Sequence, residues 1–214
     1  MSRLMILGAG GHGKVVAEIA KLMEKWDEIV FLDDNEKLRE VNGIKVIGQF
    51  NDYRIYKDRY NYAFVAIGDN ELRLKLIENL KKEGLLIPAL IHPFTSISDN
   101  CQIHEGTAVM AGAVINTNVI IGRGCIINTS SSIDHDGVLE DGVHISPGVH
   151  LGGTVKIGKH TWVCLGSNII NNVIIGSNVI VAAGAVVTEN VPDNVMVAGI
   201  PAKIKKRLGV IDSE

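Results

Sequence analysis

The stretch IIGRGCIINTSSSIDHDGVLEDGVHISPGVHLGG, residues 120–153, decides the fold. Stepping by six through it gives Ile121, Ile127, Ile133, Leu139, Ile145 and Leu151. The series runs back through Ile115, Val109, Ile103 and Ile97 to Ile91, and forward through Ile157, Val163, Ile169, Ile175 and Val181 to Val187. All seventeen positions are Ile, Leu or Val. A second column, four places after each, holds only small or β-branched residues, among them Thr107, Ala113, Cys125, Ser131, Gly137, Val143, Val149 and Ala185. Short strands stacked on equivalent strands one coil away demand this pattern, because each inward column must fit a narrow interior. Glycines near the bends (Gly122, Gly124, Gly142, Gly148, Gly158, Gly166, Gly176, Gly184) suit positive φ. An ordinary sandwich would show period-two alternation broken by irregular turns. The pattern predicts a parallel β-helix with no long extruded loop.

The chain of 214 residues has 46% hydrophobic content and a formal net charge of −3. That suits one or two soluble domains with their own cores. With no basic excess, a nucleic-acid partner is not expected. No apolar run is long enough for a membrane span, and the N-terminus reads as a first strand rather than a signal peptide. The cysteines Cys101, Cys125 and Cys164 have no CxxC spacing, which points to a reduced, cytoplasmic setting.

Residues 1–88 follow another rule. Leu4–Leu7 reads as a buried strand, Gly8-Ala9-Gly10-Gly11-His12-Gly13 as a glycine turn, and Lys14–Lys25 as a helix with Val15, Ile19, Leu22 and Met23 on one side. Strands follow at Ile29–Leu32, Ala63–Ile67 and Leu85–Ile87, with a helix opened by Gly68-Asp69-Asn70 and running to Lys82. Strand and helix alternate, so the sheet should be parallel and Rossmann-like. Gly8, Gly10 and Gly13 match G-x-G-x-x-G, and Asp33 ends the second strand. Bare N–H groups at a helix start attract phosphate, and an acid at that place can hold a ribose hydroxyl. A nucleotide sugar suits this compact domain better than NAD(P), which needs a second mononucleotide half. A purely structural glycine turn is the remaining alternative. His12 either meets a phosphate or serves the turn.

Taken together, GAGGHGKV (8–15), IGDNELR (67–73), LIHP (90–93), NTSSSIDHD (128–136) and AGIPAK (198–203) resemble one group. It is the bacterial sugar O-/N-acyltransferases related to the sialic acid O-acetyltransferase and the UDP-4-amino-sugar (bacillosamine-pathway) N-acetyltransferase. The resemblance spans essentially the whole chain. It implies a nucleotide-sugar-binding Rossmann-like domain over 1–88 and a left-handed hexapeptide β-helix with a C-terminal cap over 89–214. Three hexads per coil would make between five and six coils. It further implies a homotrimer with active sites between subunits, acetyl-CoA as donor, and a 4-amino-4,6-dideoxy sugar on a nucleoside diphosphate, UDP favoured, as acceptor.

Acyl transfer to an amine needs a base and a donor for the developing oxyanion. Among the seven histidines, His135 is the strongest candidate base, because it should project outward near a corner between Asp134 and Asp136, either of which can hold its second ring nitrogen. The family carries its base in this motif followed by an acid, often Glu; here it is Asp136. His144 matches a family histidine near the acetyl thioester, and nine residues from His135 it should face another side of the prism. His92, His104, His150 and His160 read as structural or solvated. No histidine pair has metal-ligand spacing, so no metal is expected. Two cysteines in the inward column argue against an acyl-cysteine intermediate. In related architectures the closing segment lies against CoA, which makes Pro201 and Lys203 candidates. Lys205, Lys206 and Arg207 could meet its phosphates, on a basic helix capping the repeats. Gly166, Ala182 and Ala183 are candidate pantetheine-lining positions. The rival readings are O-acetylation of a free sugar such as sialic acid, and a non-catalytic hexapeptide-repeat assembly protein.

Overall fold

The structure is a computed structural model that describes residues 2–209. β1 (Arg3–Leu7) joins a five-stranded sheet with β2 (Glu28–Leu32), β3 (Glu40–Val41), β4 (Ile44–Gly48) and β5 (Tyr62–Val65), in the order β3-β4-β2-β1-β5. All neighbours are parallel except β3 and β4. Both faces of β1 are buried, as an unbroken apolar run requires. Leu4 and Ile6 pack towards α1 (Gly11–Leu22), and Met5 and Leu7 pack towards Tyr53 of the short α2 (Tyr53–Tyr56) and towards α3 (Asn70–Lys82) with Leu76, Ile77 and Leu80. Asp69 caps α3, its carboxylate accepting the Leu72 N–H at 2.8 Å.

Three details depart from the expected pattern. Helix α1 begins at Gly11, and its inward residues are Val16, Ala17, Ile19 and Ala20; Val15 and Leu22 are exposed. The β3–β4 hairpin was not anticipated, although Asn42-Gly43, at φ 51° and 75°, is the dipeptide that such turns favour. Leu85–Ile87 makes a single bridge, Leu86 to Tyr62, rather than a strand.

From Leu90 the chain winds through seventeen two-residue strands, β6 (Leu90–Ile91) to β22 (Val186–Val187), one every six residues. In each, the hexad aliphatic is the second residue. Strands eighteen residues apart pair in parallel, so three sheets form the faces of a left-handed prism. Face A stacks β6 under Ala108–Val109, Ile126–Ile127, His144–Ile145, Trp162–Val163 and Ile180–Val181. Face B runs from Ser96–Ile97 to Val186–Val187, and face C from Gln102–Ile103 to Ile174–Ile175. The inward columns form one core. Gly124, Gly142, Gly148, Gly166 and Gly184 do adopt positive φ, but Gly122, Gly158 and Gly176 do not. At those three a Cβ would strike the neighbouring turn, at Gly122 the Asp141 nitrogen 2.7 Å away. Close approach between coils, not turn geometry, demands glycine there.

The repeats are closed by strands, not by the expected basic helix. β23 (Val195–Ala198) extends face A, and β24 (Lys203–Arg207) returns antiparallel to it with every residue exposed. The sheet domain sits on face A, where Leu90, Ala108, Met110 and Ile126 join its core, and α3 lies along the corner between faces C and A. The last five residues of the expected cap, 210–214, lie outside the described residues.

Candidate active site

Two places stand out among the expected site residues. The first is the corner between faces B and C, across the prism from face A. His135 and Asp136 stand there, with side chains 50% and 48% exposed. His135 Nδ1 lies 2.8 Å from Asp136 Oδ2, and this hydrogen bond is the main reason the imidazole pKa is raised above its ordinary value. The same bond holds the Asp136 carboxyl below the usual range. Asp134 takes a different part: it accepts the His135 backbone N–H at 2.9 Å and Asn116 Nδ2 at 3.0 Å.

Neighbouring coils shape this corner. One coil below, Asn118 Nδ2 donates to Asp136 Oδ1 at 3.1 Å. One coil above, a Cβ on Gly153 would meet His135 Nε2 and Cε1 at 2.5 and 2.6 Å, so the ring rests on bare backbone. Asn118 and Gly153 were missed in the sequence; counting eighteen residues from Asp136 and His135 finds both.

The second place is a cleft of about 640 Å³ between the Gly68–Glu71 turn and face A, walled opposite by His144, His160 and Trp162. The His144 and Trp162 rings stack 5.6 Å apart, and Trp162 Nε1 donates to Ser146 Oγ at 2.8 Å. Burial, and after it the charge of Arg73, pushes the His144 pKa down to about 3 and that of His12 to about 4. Both imidazoles are therefore neutral at pH 7. Their Nε2 atoms are buried without a hydrogen-bond partner.

The glycine turn divides by purpose. Gly8, at φ 108°, tucks under Ala66, where a Cβ would meet the carbonyl oxygen at 2.7 Å; at Gly13 it would run into the Gly8 carbonyl. Gly10 and Gly11 are exposed with open space beside them, as is Gly68, and this is the approach a phosphate needs at the start of α1. Asp33 braces the turn: its oxygens accept the Ala9 and Asn35 N–H groups at 2.7 and 2.9 Å.

The acetyl-CoA candidates are spread out. Gly166, Ala182 and Ala183 lie at the corner between faces A and B, where the Gly184 N–H donates to Leu165 O at 2.8 Å. Pro201 and Lys203 are exposed on the closing hairpin, and Lys203 Nζ sits 3.3 Å from Glu189, at the same corner as His135. His144 stands apart from these, turned towards the sheet domain. Cys125 is in the prism core, its thiol pushed up to about 12 by burial, so it offers no thiolate. Among the described residues, no group of three or more His, Cys, Asp or Glu is placed to hold a metal, and no helix is long and apolar enough to cross a membrane.

Comparison with known proteins agrees with this fold. Residues 3–80 match the PglD N-terminal domain. A GDP-perosamine N-acetyltransferase of Escherichia coli is 31% identical over 212 residues, covering 94% of this chain and 96% of the relative. The acetyltransferase domain of PglB from Neisseria gonorrhoeae, solved with acetyl coenzyme A, superposes with a TM-score of 0.92 at 40% identity, covering 95% of this chain and 98% of that one. PerB from Caulobacter crescentus, solved with CoA and GDP-perosamine, superposes with a TM-score of 0.90 at 37% identity, over 96% and 98% of the two chains.

Proposed function

The chain belongs to the hexapeptide-repeat sugar N-acetyltransferases with a PglD N-terminal domain, and we propose that it moves the acetyl group of acetyl-CoA onto the amine of a nucleotide-linked 4-amino-4,6-dideoxy sugar. The observation that carries this reading is the His135–Asp136 pair. With Nδ1–H donating to Asp136, Nε2 is left as the free lone pair at an open corner. The amine attacks the thioester carbon, its proton passes to Nε2, the C–N bond forms, the C–S bond breaks, and Nε2 returns the proton to sulfur so that CoA leaves as the thiol. Direct transfer in a ternary complex fits a chain whose Cys125 is sealed in the core.

Residues 1–88 hold the sugar nucleotide in this reading, with its diphosphate at Gly10, Gly11 and His12, its ribose towards Asp33 and its sugar towards Gly68. Residues 89–214 hold acetyl-CoA, along Gly166, Ala182 and Ala183 to Pro201 and Lys203. Because the cleft and the His135 corner lie on opposite sides of one chain, the two meet only between subunits. A homotrimer, each protomer presenting His135 to its neighbour's cleft, satisfies this. Three unpaired cysteines suit the cytoplasm, where acetyl-CoA is available. UDP is the nucleotide favoured by the sequence resemblance, while GDP-perosamine is the sugar named for two relatives, so both belong in the test.

The experiment is thiol release from acetyl-CoA with GDP- and UDP-linked 4-amino sugars set against free sialic acid. Amino-sugar nucleotides should be the substrates, and His135→Ala should lower kcat/KM by ~10²-fold or more with assembly intact. Turnover of the free sugar alone would establish the O-acetyltransferase reading instead. Membership of an acetyltransferase family leaves a non-catalytic assembly role without support.

A further inference from the structure

The motif IGDNELR (67–73) ends in an arginine that takes no part in the chemistry above. Arg73 is 1% exposed, and all five of its N–H groups are used. Nε donates to Gly124 O at 2.7 Å, Nη1 to Ile67 O and Gly68 O at 3.1 and 3.3 Å, and Nη2 to Asn70 Oδ1 and Gly142 O at 2.8 and 3.1 Å. Two of these acceptors, Gly68 and Asn70, belong to the turn that forms one wall of the cleft, and Ile67 leads into it. The other two are corner carbonyls of successive coils in the prism that forms the opposite wall. The corner is bare where the fork enters: a Cβ on Gly124 or Gly142 would meet Leu74 of α3 at 2.7 or 2.9 Å. Asn70 adds a second tie, its Nδ2 donating to His160 O at 2.9 Å.

We propose that Arg73 is a positioning residue for the acceptor: by joining the Gly68–Glu71 turn to two coils of the prism, it sets the gap between that turn and the His144–Trp162 wall. The inference rests on the reading of this cleft as the acceptor site. A buried cation without a carboxylate partner is costly unless every donor is satisfied, and a simple domain staple could be apolar. The guanidinium does what an apolar contact cannot, fixing distance and direction to five oxygens at once. The groups facing it are Asp69 from the α3 cap, His12 from α1, and Cys125 and His144 from the prism.

Arg73→Lys keeps the charge but collapses the fork to one point with three donors, so it cannot reach both walls. The expected result is a KM for the amino-sugar nucleotide raised ~10-fold or more while KM for acetyl-CoA stays within about twofold. Asn70→Ala, which removes the tie to His160 and one of the five Arg73 acceptors but leaves the fork's bonds to both walls, should move the same constant in the same direction by less. Independently of any substrate, amide hydrogen exchange should quicken at residues 67–71 and not in the prism. Unchanged exchange there in Arg73→Lys, or both KM values rising together, overturns the proposal. If the wild-type protein turns over no amino-sugar nucleotide, the functional reading fails, and the exchange experiment still decides whether Arg73 sets the turn.

Discussion

Two histidine environments on one prism are tuned in opposite directions. At the corner between faces B and C, His135 is open to solvent, paired with Asp136 and biased towards holding a proton. On face A, His144 is packed between Trp162 and the sheet domain, near His12 and Arg73, and biased against one. Both belong to the same repeat, but His144 opens a two-residue strand while His135 stands on the turn that follows one. The difference is what lies eighteen residues away and what docks on the face. A bare coil with an acid at hand makes a base; a covered face beside a buried cation makes a neutral imidazole, able to donate or accept a hydrogen bond but not to take up charge.

The sharpest way to break this contrast is to take away the seat of His135. Gly153→Ala puts a methyl where the ring lies and leaves the core untouched. We expect kcat/KM to fall by ~10²-fold, about as much as losing the base, with a thermal midpoint close to wild type. A variant that kept full activity would show that the ring does not work from this position. Asp136→Asn should also lower kcat/KM, because an amide cannot stabilise the imidazolium and can turn the ring to the tautomer that carries its proton on Nε2. Its signature lies in the pH profile. A base must be deprotonated to work, and Asp136 raises the His135 pKa, so the acid limb of kcat/KM should move to lower pH in the variant. An unmoved limb would separate Asp136 from the group that titrates.

Much of this was legible in the sequence, and the limits are physical. The inward hexads depend only on strand geometry within one coil, so Ile91 to Val187 reads without a slip. The outward residues depend on the coils above and below. Whether Asp134 or Asp136 holds His135 is settled by the left-handed backbone at Asp136, φ 59°, and by Asn116 and Asn118 one coil down, each of which takes one of the two acids. The shorter acid at position 136 reaches the ring because it stands on that bend. The face that His144 meets is fixed by where α3 docks, which depends on an arginine fork and on glycines spaced by a full coil at 106, 124 and 142. The closing strand was misread as a helix because Lys203–Arg207 has no alternation to betray a pairing partner, while its pairing with β23 supplies one.

The smallest expected effect belongs to the covered face alone. An imidazole whose folded pKa lies below its unfolded value of about 6.5 binds a proton more readily when the chain unfolds, so acid favours unfolding. For His144 this loss begins as pH falls below about 6.5 and continues down to the folded value of about 3. Between pH 7 and pH 5 the linkage amounts to at most roughly 2 kcal/mol. His144→Phe keeps a ring against Trp162 and removes the titration. Urea midpoints should therefore fall less between pH 7 and pH 5 in the variant than in the wild type, and the two curves should come closest near neutrality. Carboxylates common to both proteins contribute equally to each curve and cancel in the difference. Parallel curves would mean that His144 titrates alike in the folded and the unfolded chain, and the contrast with His135 would then rest on geometry rather than on charge.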